Sequence, residues 1–257
     1  MKGLLLKDYY CMKSNLFSFL CLTIGVIVIG VLFAISIHHG NMADVVKNLS
    51  EEQGMSPELV YDSFRAGVWL ILMIPMAYVG NVIDCFKADM SASFGKILFS
   101  MPMKASQVVG ARYLACLLYA GISFFGSLLA ALCVSSATEY YPLSELLMVC
   151  ATFGALFITY LSIVIMLLYL LGTQHADSIM SAPILIVTGA GIIYVMLKME
   201  NMSGAKEEAF FESIWGNIKD LLMQYTGILC GMAMISLVVC FVASVKIVEK
   251  RRARAIC

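Results

Sequence analysis

Six apolar stretches run through this sequence, at residues 16–37, 66–83, 113–136, 146–172, 178–197 and 221–245, and none contains an Asp, Glu, Lys, Arg or His. A helix of about 20 such residues spans the roughly 30 Å hydrocarbon core of a bilayer. Lipid offers the backbone no hydrogen-bond partner, so each stretch is expected to be a helix. The expected fold is all-α: a polytopic membrane protein with six transmembrane helices in one domain over residues 1–257. Composition agrees, with 61% hydrophobic and 13% charged residues and a mean hydropathy of +0.90, where a soluble domain has about 25% charged residues. The first stretch, preceded by Lys2, Lys7 and Lys13, reads as an uncleaved anchor. It exceeds a signal-peptide core and lacks an A-x-A cleavage site.

Charge-free interiors also constrain function. Transporters driven by ion gradients carry ionisable groups inside the membrane, and these spans offer none. The charges that exist are sorted by side although the net charge is zero. Residues 1–15, the 84–112 loop, the turn around Asp177 and the tail from Lys246 hold 12 of the 17 basic residues and 5 of the 17 acidic ones. The positive-inside rule places both termini in the cytoplasm. This basic excess is membrane topology and does not point to nucleic acid. The nine cysteines form no C-x-x-C pattern and read as small packing residues.

Several segments have a character of their own. Residues 1–15 repeat Leu5, Tyr9, Met12 and Leu16 on one helical stripe, either as an amphipathic helix on the inner surface or as the start of the first span. Ser56, Pro57 and Glu58 read as an N-cap with proline at the first helical position, so the second helix is expected to start outside the bilayer. Pro75 and Pro183 are candidate bending points. Ser123, Ser127, Ala131 and Ser135 in the third span, with Gly227 and Gly231 in the sixth, allow close helix contact, within the bundle or across a dimer. Between the last two spans, residues 198–220 interleave Phe210, Phe211, Ile214 and Trp215 with charges. This segment is expected either as a short helix or re-entrant pair at the outer interface, or as a loop pinned by an aromatic belt.

The 84–112 loop is the longest inner segment between spans. Phe94, Ile97, Leu98 and Met101 have helical spacing, and Pro102 ends the pattern. A short cytoplasmic helix with an apolar face needs a partner protein or the membrane surface.

The run GKILFSMPMKASQVVGARYL, after a start of MKGLLLKDYY and within six spans, resembles the ABC-2 type permeases, the membrane subunits of ATP-binding-cassette exporters. The matching features are Lys7 and Asp8 ahead of span one, Leu98, Ser100 and Pro102 in the loop, and Val109, Arg112 and Tyr113 entering span three. Family members often carry arginine just after the proline segment and a more acidic approach to it, where this chain has Lys104 and Ser91, Ala92, Ser93. Within the family it is similar to permeases of bacterial peptide exporters, such as those of phenol-soluble modulins.

The resemblance implies roles. Residues 1–15 would be the connecting helix, and residues 87–101 would hold the coupling helix that docks on an ATPase through Lys87, Asp89, Phe94, Lys96, Ile97, Leu98 and Met101. Residues 198–220 would form the extracellular gate, with Phe210, Phe211, Ile214 and Trp215. Partners would be an ABC ATPase subunit, a second permease protomer as in a homodimer, membrane lipid and an amphipathic peptide cargo, in the bacterial cytoplasmic membrane.

No engine of its own is visible. Gly95 and Lys96 are followed by Ile97 and lack the upstream glycine of a phosphate loop, and no H-E-x-x-H or G-x-S-x-G occurs. No catalytic, cofactor-binding or metal-binding residue is assigned; ATP and Mg would sit on the partner. The hydroxyls and amides Thr23, Asn81, Thr159, Thr188 and Gln224 either favour an amphipathic cargo or bond neighbouring backbone. A membrane enzyme or secondary transporter using Asp84, His175 and Asp177 stays open as an alternative, as does a cargo-free scaffold.

Overall fold

The computed structural model describes residues 2–39, 44–45, 47–48, 57–76, 103–138, 140–172 and 205–256, with scattered helical positions between 178 and 193. Among these residues every element is a helix: α1 (Lys2–His39), α2 (Pro57–Met73), α3 (Ala105–Ala137), α4 (Leu143–Leu171) and α5 (Ala205–Ile256). Four segments are long and apolar enough to cross a membrane, namely Phe17–Ile37, Ala105–Ala137, Leu143–Leu171 and Gln224–Ala253. A shorter apolar stretch, Phe64–Met76, lies in the second expected span. The chain is therefore a multi-pass helical membrane protein. The remainder of the second span and most of the fifth lie outside the described residues.

Helical continuity bears on the sequence reading at two places. Of the two readings of residues 1–15, backbone continuity favours the start of the first span, because α1 is helical from Lys2 to His39. No proline or glycine stands between residues 4 and 24 to stop propagation, and each added residue then costs little. Likewise α5 runs unbroken for 52 residues, about 78 Å at 1.5 Å per residue. Its first turns contain the aromatic run from Phe210 to Trp215, so from Ala205 onward that segment is an extension of the last span and not a re-entrant pair. α2 begins at Pro57, and its α-helical part ends at Met73. A 3-10 turn covers residues 74–76, where Pro75 has no N–H for the ladder and crowds the carbonyl four residues back.

Packing places α3 at the centre. It is the most enclosed of the four spans, and it touches α1, α4, α5 and α2. The largest interface joins α4 and α5. Two core layers stack along the bundle. One gathers Phe19, Val109, Tyr113, Leu161, Ile165, Cys240 and Val248; the other gathers Val26, Val68, Trp69, Leu72, Val134 and Leu146. The α3 stripe is an internal seam, with Ser123, Ser127 and Ala131 fully buried. Gly227 and Gly231 differ, because a Cβ on either would meet nothing within 4 Å.

Side chains on the outer faces are apolar too. Along α1, Phe17, Ile24, Val28 and Leu32 are exposed, with Phe17 at 74%. In water such a face would drive association; against lipid tails it is the expected surface. The α3–α4 connection is short: Thr138 caps α3 by donating from N–H and Oγ1 to the Val134 carbonyl, both at 3.2 Å. α4 ends at Gly172, whose φ of 95° suits glycine and whose N–H donates to the Leu168 carbonyl at 3.0 Å.

The tightest helix approach predicts its own sensitivity. A Cβ at Gly126 would lie 2.9 Å from Phe19 Cζ and 3.2 Å from Thr23 Oγ1. Gly126→Val is expected to push α1 from α3 and destabilise the fold by roughly 1–3 kcal/mol, the cost of overpacking. Thermal unfolding in detergent, followed by size-exclusion recovery, measures this, and an unchanged midpoint would contradict the seam.

Candidate functional site

Three features along the bundle could carry function: a basic end, a cavity at mid-depth and a polar cluster at the opposite end. The basic end is where the starts of α1 and α3 meet the ends of α4 and α5. Tyr113 on α3 joins three helices there. Its hydroxyl donates to the Ser162 carbonyl on α4 at 3.3 Å and lies 3.2 Å from Ser244 Oγ on α5. A phenol has one proton to give, so Ser244 donates to Tyr113. The Phe241 ring meets the Tyr113 ring edge-on, 5.6 Å between centroids. Two turns further out, Arg251 Nη2 donates to the Leu170 carbonyl at 2.9 Å, satisfying an orphan acceptor at the negative end of the α4 dipole. Arg252 Nη1 donates to the Met103 carbonyl just ahead of α3. At the α3 start, Gln107 Oε1 accepts the Lys104 N–H at 3.4 Å.

Between the two core layers α3, α4 and α5 enclose a partly open cavity of about 370 Å³. That is at the small end of the roughly 300–1,000 Å³ range of ligand sites. Its space comes from small residues: Ala120 and Gly121 on α3, Ala151, Gly154 and Ala155 on α4, and Ala233 on α5. Phe124, Phe157 and Leu161 bound it, Met76 reaches it from the end of α2, and no lining residue is charged. Ser123 supplies the single hydroxyl among the lining residues, and its Oγ is buried without a hydrogen-bond partner. Such walls suit hydrocarbon and reject ions, because an unpaired charge there would lose its hydration.

At the opposite end, Arg65 of α2 stands against the start of α4. Its Nε lies 3.6 Å from Glu145 Oε1, a Coulomb contact longer than a hydrogen bond. Its Nη2 donates to the Tyr140 carbonyl at 3.5 Å, and its Cζ sits 5.9 Å from the centre of the Tyr141 ring. Glu145 also complements the positive N-terminus of α4. Burial pushes the Tyr141 phenol above its usual range, with Arg65 pulling it down and Glu145 raising it. Thr152 and Thr226 tie α4 to α5 in this half, hydroxyl to hydroxyl at 2.8 Å.

Residues 60–249 match the family described as ABC-2 family transporter protein. The chain belongs to this family. No curated protein and no solved structure gives a significant match. An ABC-2 chain is a membrane component of an ABC transporter, it is not itself the ATPase, and its family implies a partner ATP-binding-cassette subunit.

Most residues assigned a role from sequence lie outside the described residues of this ABC-2 chain. Those are Lys87, Asp89, Phe94, Lys96, Ile97, Leu98 and Met101 of the docking loop, Pro183, the polar candidates Asn81 and Thr188, and Asp84, His175 and Asp177 of the alternative reading. Phe210, Phe211, Ile214 and Trp215 belong to α5 by backbone, and their side chains are not described. Pro75 is buried in the turn after α2. Thr23 and Thr159 each donate to the carbonyl four residues back, Phe19 and Ala155, at 2.9 Å; they bond their own helices. Among the described residues no three His, Cys, Asp or Glu side chains gather as a metal site, and Cys21, Cys116, Cys133, Cys150, Cys230 and Cys240 are free thiols.

Sequence reasoning missed the cavity and the two arginine bonds. A signal for the cavity existed in Ala151, Gly154 and Ala155, small residues at i, i+3 and i+4 on one face. Only packing shows that their face meets Gly121 and Ala233.

Breaking the Arg65–Glu145 contact has a predictable cost. Glu145→Ala leaves Arg65 without its carboxylate, and because the Arg65 side chain is 24% exposed the expected loss is about 2 kcal/mol, below the roughly 3–5 kcal/mol of a fully buried pair. A double-mutant cycle with Arg65→Ala, read by denaturant titration, measures the coupling; additivity of the two losses would show the pair contributes nothing.

Proposed function

We propose that this ABC-2 chain is the membrane subunit of an exporter in a bacterial cytoplasmic membrane, moving a hydrophobic-bodied, amphipathic cargo outward. An amphipathic peptide is the cargo class. ATP is hydrolysed with Mg on separate ATPase subunits that grip residues 87–101 from below, and two copies of the chain face each other across the pathway. The cavity carries this reading. Its uncharged walls at mid-depth match an apolar side chain or tail, and a charged solute finds no counter-group there. The basic end faces the cytoplasm, following the positive-inside rule. Residues 198–220 serve as the outer gate.

The cargo assignment also explains why the spans lack ionisable groups. With ATP as the energy source no coupling ion has to cross, so a proton or sodium relay is unnecessary. Movement comes from rigid helices displaced from below, with Pro75 and Pro183 as the candidate bending points.

Three measurements on inside-out vesicles test the proposal. The chain is expected to co-purify with the ATPase encoded beside it and to stimulate its ATP hydrolysis. Leu98→Glu or Phe94→Glu is expected to abolish the stimulation and leave membrane insertion intact. A fluorescent amphipathic helical peptide is expected to accumulate only with ATP, and Ala233→Phe, which fills the cavity, to reduce uptake at least tenfold while ATPase binding persists. Absence of any ATPase partner sinks the exporter reading; ATP-dependent uptake indifferent to Ala233→Phe removes the cavity from the pathway.

A further inference from the structure

The two arginines that end α5 make bonds with different mechanical consequences. Arg251 fastens α5 to the last turn of α4, through the Leu170 carbonyl, and so strengthens the largest interface in the bundle. Arg252 reaches the Met103 carbonyl across a separation of 149 positions in the chain. Met103 is not part of α3; it lies in non-helical backbone just ahead of Lys104, the extended N-cap of the helix that starts at Ala105. Any displacement of the segment ahead of α3 therefore reaches Met103 first.

Two bonds and a shared core layer register α5 on this entry point. Beside the Arg252 bond, Val248 is 1% exposed in the same core layer as Ala105 and Val109, and Ser244 meets the Tyr113 hydroxyl at 3.2 Å. Positions 244, 248 and 252 are one turn apart on a single face. Tyr113, the core layer at Val109 and Ala105, and then Met103 follow in matching order toward and past the start of α3. α5 continues unbroken from there to the cavity wall at Ala233 and Cys230. A helix without a proline transmits axial displacement along its length, since its hydrogen-bond ladder has no weak point.

We propose that Arg252 is a positioning residue for transport, coupling the segment that enters α3 to α5 and so making α5 a driven wall of the cavity. The proposal rests on the exporter reading, in which residues 87–101 receive the ATPase stroke. Arginine suits this role because its guanidinium holds a carbonyl with a charge-assisted bond and keeps further donors for neighbours. Without that bond the stroke still moves α3, and α5 follows it less directly, through packing and the Tyr113–Ser244 contact.

The test uses the full chain with its ATPase subunit in lipid nanodiscs, with spin labels at Ile24 on α1 and Ile235 on α5, two lipid-facing positions. Pulsed dipolar spectroscopy compares the nucleotide-free and ADP–vanadate-trapped complexes. The unmodified complex is expected to shift its label distance on trapping. Arg252→Ala is expected to lose at least half of that shift while ATPase binding and basal ATP hydrolysis stay within twofold. Arg252→Lys, which keeps a cationic donor, restores the shift, and Arg251→Ala retains it. If the alanine variant does not assemble, Arg252→Gln takes its place, since one neutral donor replaces a charged fork. A full shift in Arg252→Ala or Arg252→Gln, no rescue by lysine, or no shift in the unmodified complex overturns the proposal. Failure of the unmodified chain to bind the ATPase is read separately, in the binding step, and removes the underlying exporter reading instead.

Discussion

Close backbone approach along α3 is the contact on which the rest of this molecule depends. In a bilayer, lipid tails are as apolar as leucine, so helices are not driven together by burial from water but by surface fit and a few polar bonds. Gly126 lets α1 come near enough for Phe19 and Thr23 to touch its Cα face, and Ser123, Ser127, Ala130 and Ala131 continue the seam without exposed surface. With α1 on one flank and α4 and α5 on the other, α3 fixes the positions of the remaining helices. The same preference for small side chains leaves space where three helices converge, and the cavity is that space.

Polar groups are placed to suit such a frame. In the middle of the spans, hydroxyls such as Thr23, Thr159 and Ser162 return to the carbonyl four residues back, which satisfies them without committing a neighbour. Charged side chains bond across helices at the two ends, where Arg251 and Arg252 hold carbonyls near α4 and α3 and Arg65 meets Glu145 near the α3–α4 turn. Ends can hold charge because water and headgroups solvate what the protein leaves exposed. An apolar middle and charged ends that hold their neighbours suit the membrane component of a transporter.

How much of this was legible in the sequence depends on the range of the interaction. The spans at 113–136 and 146–172 could be placed from hydropathy because a helix in lipid satisfies its own backbone, and the start of α2 at Pro57 follows from local chemistry of Ser-Pro-Glu. The continuity of α1 through residue 15, one of the two readings of that segment, also has a local reason: nothing between Met12 and Leu16 stops a helix, and amphipathicity alone does not end one. The docking role of Phe94 and Leu98 rests on resemblance, since a short apolar face names no partner. The cavity was not legible, because Ala151 and Gly154 read equally well as a tight seam or as the wall of a void.

The sequence by itself determined that this chain crosses a membrane repeatedly, through stretches that hold no Asp, Glu, Lys, Arg or His, because composition and hydrogen-bond need act on each segment alone. Family membership follows from the same residues, over positions 60–249. Only the tertiary structure decided which small residues pack and which leave space, and that Arg252 meets Met103 rather than solvent or lipid. Those outcomes depend on the rotation and depth of each helix against its neighbours, and a single helix's sequence carries neither.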